Sequence, residues 1–220
     1  MKLNSIDEGK RHFILVQLSE NIEETLKVAD TTSKTYAENS IRFLDGINKP
    51  HYITEIAKER IRRAGKKIKG ESPLTTQNLD TGFRVFRLAD SNFEEVKKAP
   101  GEYNQSQLDL FLNNVKSDRT DLDLLFGAML SWGVQLSLPM TSEEVDGKMI
   151  YSVNDGDLVA CFADDITENI VKAMADKQPL RVLFRDSCFA RDDAKINVFE
   201  TLKQLLDWSE EEAIKSIKVI

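Results

Sequence analysis

The side chains best suited to chemistry in this sequence are a run of cations in its first third. Seven basic residues stand against two acids between Glu55 and Lys69. The seven are Lys58, Arg60, Arg62, Arg63, Lys66, Lys67 and Lys69. On a helix face such cations can neutralise DNA phosphates, each contact adding salt-dependent affinity. A solvated helix face is the alternative interpretation. No aromatic residues interleave with the cations, so the pattern does not indicate base stacking.

Two acid pairs and one Arg-Asp pair are further candidates for a site. Asp164-Asp165 and Asp192-Asp193 could hold a divalent metal, but each pair directly precedes a helical pattern. Negative charge at a helix start interacts favourably with the helix dipole and caps free N–H groups, so we predict capping and no metal site. Arg185-Asp186 follows an apolar run, where α/β proteins often present functional side chains. We expect an internal ion pair that fixes the strand-to-helix turn.

Several common kinds of catalytic site are excluded by missing motifs. The ten glycines form neither G-x-x-x-x-G-K-[ST] nor G-x-G-x-x-G, so nucleotide hydrolysis is not expected. The two histidines, His12 and His51, have no nucleophile motif near them. Cys161 and Cys188 lack C-x-x-C spacing, which argues against a disulfide framework or a zinc site. We predict that both cysteines are small buried side chains.

The overall composition is that of a globular protein. The chain has 220 residues, of which 41% are hydrophobic and 30% charged. Its net charge of −7 argues against a protein that coats nucleic acid with its whole surface. No apolar run, 13–16 included, approaches the ~20 residues that a membrane span needs, and the N-terminus shows no apolar signal region. We predict a cytoplasmic protein.

The first hundred residues contain two strand patterns separated by helical ones. The β-rich runs 12–18 and 83–88 predict two strands. Between them, a weak helical pattern covers 36–44, and a clear one begins at Thr54 with an apolar stripe and the cations over the remainder. Ala99-Pro100-Gly101 breaks the chain, and we predict the domain boundary there, giving domains 1–100 and 101–220.

The second half alternates helix and strand patterns in an order typical of an α/β fold. Thr120 and Asp123 resemble a capping box that opens a helix. Asp-Gly turns then separate three strands, 136–145, 148–153 and 158–162, which predicts an antiparallel meander. Asp165 or Thr167 caps a helix to about Ala175. The last predicted elements are a strand at 180–184, a helix capped by Asp192 and a short strand at 216–220. The order puts helices on a mixed sheet.

Several of these stretches together resemble a known family. They are 1–18, Gly82-Phe83-Arg84-Val85-Phe86-Arg87-Leu88 with Ser91-Asn92-Phe93, and 124–220, which includes Phe184-Arg185-Asp186 and Ala194-Lys195-Ile196-Asn197. The chain resembles the C-terminal half of the modification subunit of type III restriction-modification systems, which is an adenine-specific DNA methyltransferase. The resemblance implies that 1–100 is a remnant of a Rossmann-like methyltransferase sheet and 101–220 is an α/β C-terminal domain with a β-meander and a βαβ unit.

The resemblance also implies a cofactor and partners. The family uses S-adenosylmethionine, and a polar residue at the end of the second strand reaches its ribose hydroxyls, which here implies Gln17 or Glu20. The partners implied are the remainder of the methyltransferase, a methylase dimer, the helicase-nuclease restriction subunit and DNA. The chain looks as though it starts after the family's Asp-Pro-Pro-Tyr and Phe-x-Gly-x-Gly motifs, and neither motif is present. We therefore expect no methyl transfer and no cofactor binding by the chain alone.

These observations lead to two functional hypotheses, and a third, an independent enzyme, would need a catalytic site that the sequence does not show. The first is a C-terminal portion of a type III adenine-N6 methyltransferase with a structural and assembly role. The second is an autonomous DNA-binding accessory module that uses the basic helix 54–69, with Arg60, Arg62, Arg63, Lys66 and Lys67 as its contacts.

Overall fold

A computed structural model describes residues 1–94, 114–189 and 191–220 of the chain. The chain forms two compact units, Met1–Val85 and Phe86–Ile220. The predicted boundary at 99–101 lies outside the described residues, so the division into 1–100 and 101–220 stays a prediction. Among the helices of the described residues, none combines the length and the apolar character that crossing a membrane requires.

The described part of the first unit is helical. Its elements are α1 (Lys2–Asp7), α2 (Ile22–Val28), α3 (Thr31–Gly46) and α4 (Ile53–Glu71). Asn21 and Asp30 cap α2 and α3 by accepting hydrogen bonds from backbone N–H groups in the first helical turn. A small core of Ile22, Ala37 and Leu44, with Ile56 packed against it, joins α2, α3 and α4. The helices predicted at 36–44 and from Thr54 are thus confirmed, the first of them being longer than predicted.

The strands predicted at 12–18 and 83–88 do not form. Residues 8–20 and 79–88 are irregular, and every residue from 11 to 20 is exposed. We call 12–18 the first exposed segment and 83–88 the second exposed segment. The physical reason is that a strand satisfies its N–H and C=O groups only by pairing with a neighbouring strand, and no described strand pairs with either stretch. The local sequence pattern therefore predicted two strands that do not form in the structure.

The second unit is an α/β fold with helices on both faces of a five-stranded mixed sheet. Its elements in chain order are α5 (Asp121–Ser131), β1 (Met140–Val145), β2 (Lys148–Val153), β3 (Leu158–Cys161), α6 (Glu168–Ala175), β4 (Val182–Phe184), α7 (Asp192–Leu205), α8 (Glu210–Ser216) and β5 (Ile217–Val219). The strand order is β1-β2-β3-β4-β5. The first three strands are antiparallel, and β3, β4 and β5 are parallel. The α/β class, the meander and the crossover from β3 to β4 are confirmed, although β1 begins at Met140 and not at 136 as predicted.

The two faces of this sheet bury different side chains. Alternate residues of a strand point to opposite faces. Val159 and Cys161 pack with α6 and α7, whereas Leu158, Ala160 and Leu183 pack with α5. β3 and β4 are buried along their whole length, as expected for strands covered on both faces. The outermost strands differ: β1 carries Glu143 and Glu144, and β5 has three residues.

The ends of the helices follow the sequence with two corrections. Thr120 and Asp123 form the predicted capping box of α5, and Thr167 caps α6. At α7 the prediction was wrong by one residue: the helix begins at Asp192, and Arg191 holds the N-cap position. Helix α8 was not predicted, although Ser209 and Glu212 form a second capping box with spacing that is visible in the sequence.

Candidate functional site

Helix α4 carries the predicted nucleic-acid contacts on its exposed surface. Its apolar side packs on the small core of the first unit through Ile56. The side chains of Arg60, Arg62, Arg63, Lys66 and Lys67 all belong to exposed residues of this one helix. The structure therefore places the five predicted residues on one element, where helical spacing puts neighbours three and four apart on the same face.

Several of these cations are paired along the helix. Arg63 Nε donates to Glu59 Oε1 at 2.8 Å, and Arg62 lies 3.8 Å from the other oxygen of Glu59. The hydrogen bond from Arg63 lowers the pKa of Glu59 below its usual range. Lys67 lies 3.6 Å from Glu71. Ion pairs in contact with water are weak, because solvent and salt screen them, so a phosphate can compete for the cations.

Two of the guanidinium groups contact aromatic rings. Arg63 lies 4.8 Å from the ring centroid of Phe43, and Arg62 lies 5.5 Å from that of Phe83. Both distances are within the range of cation–π attraction. These ring contacts are not visible in the sequence, because the rings come from α3 and from the second exposed segment. The rings fix the direction of two cations.

Arg60 and Lys66 are the two predicted contacts that form no ion pair within the described part of the chain. Both belong to exposed residues, so their charges are open to an anion from solution. Together with the weakly paired Arg62, Arg63 and Lys67 they make a basic surface, which we call the α4 cation face. Its chemistry is that of phosphate binding without base recognition.

The residues predicted for the cofactor are not brought into a pocket. Gln17 and Glu20 both lie in the irregular stretch 11–20 and are exposed. The Gln17 side-chain amide donates to the backbone carbonyl of Leu18 at 3.1 Å, and the Glu20 carbonyl accepts from the N–H of Ile53. Nothing in the described residues encloses these two polar groups, so they do not form a pocket by themselves.

The carboxyl ends of the parallel strands carry an ion-pair cluster in the second unit. Arg185 donates to Asp164 at 2.7 Å and Lys195 to Asp186 at 2.6 Å. Lys148 donates to the backbone carbonyls of Asp164 and Asp165. The internal ion pair expected of Arg185-Asp186 does not form, because Arg185 pairs with Asp164 and Asp186 pairs with Lys195. These contacts fix the loops after β3 and β4.

The acid pairs of the sequence form no metal site in the described chain. No group of three or more His, Cys, Asp or Glu side chains among the described residues could hold a metal ion. Asp193 pairs with Arg191 at 2.6 Å. Asp165 adopts a left-handed backbone with φ 56°, and Thr167 holds the N-cap position of α6. Of the two caps considered for this helix, Thr167 is the correct one.

The comparisons with known proteins add no relative: no protein-family model matches the chain, and no curated protein sequence matches it.

Proposed function

We propose that this chain is the C-terminal portion of a type III restriction-modification DNA adenine-N6 methyltransferase, with a structural and assembly role and no catalysis of its own. The observation that carries the proposal is the exposure of apolar, β-rich sequence. Ile14 is 91% exposed and Val16 94%, and Leu88 of the second exposed segment is fully exposed. Globular chains seldom leave such runs in water without a partner.

Pairing the exposed segments with other strands would lower the free energy of the chain. Burying one large aliphatic side chain contributes about 1.5–3 kcal/mol, and pairing also satisfies the backbone N–H and C=O groups of the segment. The first exposed segment holds Phe13, Ile14, Leu15, Val16 and Leu18 in seven residues. Both exposed segments are therefore proposed as strands of a Rossmann-like methyltransferase sheet whose other strands belong to the remainder of the enzyme.

Gln17 and Glu20 would contact the cofactor only once the sheet is completed. Gln17 and Glu20 follow the apolar core of the first exposed segment, so in a completed sheet they stand near the end of a strand. A carboxylate or an amide oxygen can accept hydrogen bonds from ribose hydroxyls. The glycine motif that approaches the rest of S-adenosylmethionine is missing from the chain, so binding requires the remainder of the methyltransferase.

The second unit supplies the assembly role in this proposal. Its sheet has β3 and β4 covered on both faces, and two of its helices are closed by capping boxes from within the unit. A rigid domain of this kind can offer a surface to a methylase partner or to the helicase-nuclease restriction subunit, the partners that the resemblance implies.

Complementation tests the proposal. The chain is mixed with a separately expressed methyltransferase remainder that carries the Asp-Pro-Pro-Tyr and Phe-x-Gly-x-Gly motifs, and transfer of a tritiated methyl group to DNA adenine is measured. We expect transfer by the mixture and none by either piece. The double variant Ile14→Asp/Val16→Asp should fold normally, because both side chains are exposed in the free chain, but should fail to complement.

The matched control is Leu74→Asp. Leu74 is also apolar and 85% exposed in an irregular part of the first unit, but it lies outside both exposed segments. This variant should complement as well as the unsubstituted chain. Tight, stoichiometric binding of S-adenosylmethionine by the chain alone, or full complementation by the double variant, would contradict the proposal.

The α4 cation face supports a second candidate function, an autonomous DNA-binding module. The favouring observation is that Arg60 and Lys66 are exposed and form no ion pair within the described residues. In a mobility-shift titration, neutralising Arg62, Arg63, Lys66 and Lys67 together should abolish binding, and single neutralisations should each make the affinity less dependent on salt. Absence of binding even at low salt rejects this candidate and leaves the complementation result untouched.

A further inference from the structure

Three cations of the second unit line one small cavity together with a tryptophan. The residues are Trp132, Arg181, Lys215 and Lys218, and the cavity has a volume of about 140 Å³. None of the four was singled out in the sequence, because they come from separate parts of the chain. No carboxylate of the described residues lines the cavity. Its lining is therefore basic and aromatic in a chain whose net charge is −7.

The sheet register explains how these residues meet. Lys218 lies opposite Leu183 across the β4–β5 pair, and Leu183 packs in the core beneath α5. Paired residues of neighbouring strands point to the same face, so Lys218 lies on the α5 face of the sheet. Trp132 holds the C-cap position of α5 on that same face, and Arg181 directly precedes β4. The cations are thus placed by strands and helix ends of the fold.

The electrostatics of the cavity favour an anion. Arg181 and Lys218 belong to exposed residues and form no ion pair within the described part of the chain. Lys215 lies 2.6 Å from Glu211, and both side chains are more than two thirds exposed, so that pair is weak. The like charges that line the cavity repel each other, and the attraction of each cation to a bound anion offsets that repulsion.

Trp132 adds an aromatic surface to this charge. The tryptophan is partly buried, packs against the apolar core beneath α5 and also lines the cavity. Sites that bind nucleotides without sequence preference combine cations for the phosphates with aromatic rings on which the bases stack. Cations alone are enough to bind inorganic phosphate, so the aromatic ring beside them favours a ligand that also carries a base.

We propose that this cavity binds a nucleotide, with its phosphate group among Arg181, Lys215 and Lys218 and its base against Trp132. The cavity is smaller than the ~300–1,000 Å³ of sites that enclose a whole small molecule, so only part of a nucleotide enters it. The nucleotide is either free in solution or part of a single strand, and both present the same phosphate and base. This inference is independent of the function proposed above, which rests on the two exposed segments and uses none of these four residues.

Tryptophan fluorescence tests the proposal directly. The chain has two tryptophans, so Trp208→Phe leaves Trp132 as the sole reporter. The probes are AMP, a ten-nucleotide oligo-dT and inorganic phosphate. We expect saturable quenching by AMP or by the oligonucleotide, and a Kd at least about tenfold weaker in the double variant Arg181→Gln/Lys218→Gln, in which two cations no longer face the phosphate. Isothermal titration with the unsubstituted protein gives the same Kd without the tryptophan change.

The matched control is Lys172→Gln, an exposed lysine of α6 that does not line the cavity. It should bind as the parent does. Quenching by AMP that the oligonucleotide does not share assigns a free nucleotide, and tighter, salt-dependent binding of the oligonucleotide assigns a single strand. The proposal is overturned by equal Kd values in the double variant and its parent, by inorganic phosphate binding as tightly as AMP, or by no saturable signal with any probe.

Discussion

His51 shows how one residue can hold a small helical unit together. Its Nδ1 lies 2.6 Å from Glu23 Oε1 and its Nε2 lies 2.8 Å from Asp45 Oδ1, so the ring joins α2 to α3. A protonated ring donates to both carboxylates. The hydrogen bonds to Glu23 and then Asp45 raise the pKa of His51 above its usual 6.5. The bridge is not visible in the sequence, because Glu23 lies 28 residues before His51.

This bridge predicts a pH-dependent stability of the first unit. Because the folded-state pKa is raised, the stabilisation is fully present below the unfolded-state pKa and is lost as the pH rises through the folded-state pKa. Urea midpoints at several values between pH 6 and pH 9 should therefore fall with rising pH, and His51→Gln should remove this component. His12→Gln is the control: His12 is exposed in the first exposed segment, and its replacement should leave the fall in place.

The two cysteines are the second residue-scale test. Cys161 and Cys188 are fully buried, and the Cys188 thiol lies 3.8 Å from the carbonyl of Cys161. Burial raises the pKa of both thiols, that of Cys188 to about 11. At pH 8 neither thiol should react with 5,5′-dithiobis(2-nitrobenzoate) in the native protein, and both should react in guanidinium. Rapid native labelling would contradict the buried positions, which the sequence correctly predicted.

At the scale of elements, the sequence predicted what depends on local chemistry. The Asp-Gly turns at 146–147 and 155–156 were enough to place the meander, because positive φ is strongly tied to those residue types. The helix α4 and its cations were likewise found from periodicity. The ring contacts of Arg62 and Arg63, the cavity at Trp132 and the missing pairing of 12–18 were not predictable, since each depends on segments distant in sequence.

The turn between β2 and β3 gives a prediction at this scale. Gly156 has φ +113°, and a Cβ there would lie 2.6 Å from the backbone carbonyl oxygen of Lys177. Because a backbone atom cannot move aside as a side chain can, Gly156→Ala should lower the free energy of unfolding by more than about 2 kcal/mol. Chemical denaturation measures the change.

Gly147 is the matched control for that variant. It also has a positive φ, +75°, but a Cβ there meets nothing within 4 Å. Gly147→Ala therefore carries only the backbone cost, about 1–2 kcal/mol. Equal destabilisation in the two variants would show that the close approach to Lys177 contributes nothing.

At the scale of the whole molecule, the two units differ in how much of their sequence is buried. The second unit has two large apolar clusters, one on each face of its sheet, whereas the first has a cluster around Ile22, Ala37 and Leu44. The sequence predicted the general class of the second unit, because its strands pair with one another and its helices pack on the sheet that they form. In the first unit the strand patterns were correctly recognised as apolar and β-rich, but their pairing partners do not occur among the described residues.

Hydrogen exchange should report this difference. In the described part of the chain, no backbone N–H from 12 to 18 donates to another backbone group, whereas β3 and β4 are paired on both sides. We expect the amides of 12–18 to exchange without protection and those of β3 and β4 to be the slowest. The function that we propose further predicts that a methyltransferase remainder slows exchange at 12–18 and leaves β3 and β4 unchanged. Strong protection at 12–18 in the isolated chain would contradict the irregular, exposed conformation.

The outermost strands of the five-stranded sheet have a consequence for handling the protein at high concentration. Fibril growth needs a long, flat, uncharged strand that can template the next molecule. Glu143 and Glu144 put charge on β1, and β5 ends after three residues, so neither can seed a fibre. If concentrated samples form amyloid that binds thioflavin, its ordered spine should therefore contain residues 12–18. The double variant Ile14→Asp/Val16→Asp should then form no thioflavin-binding fibrils.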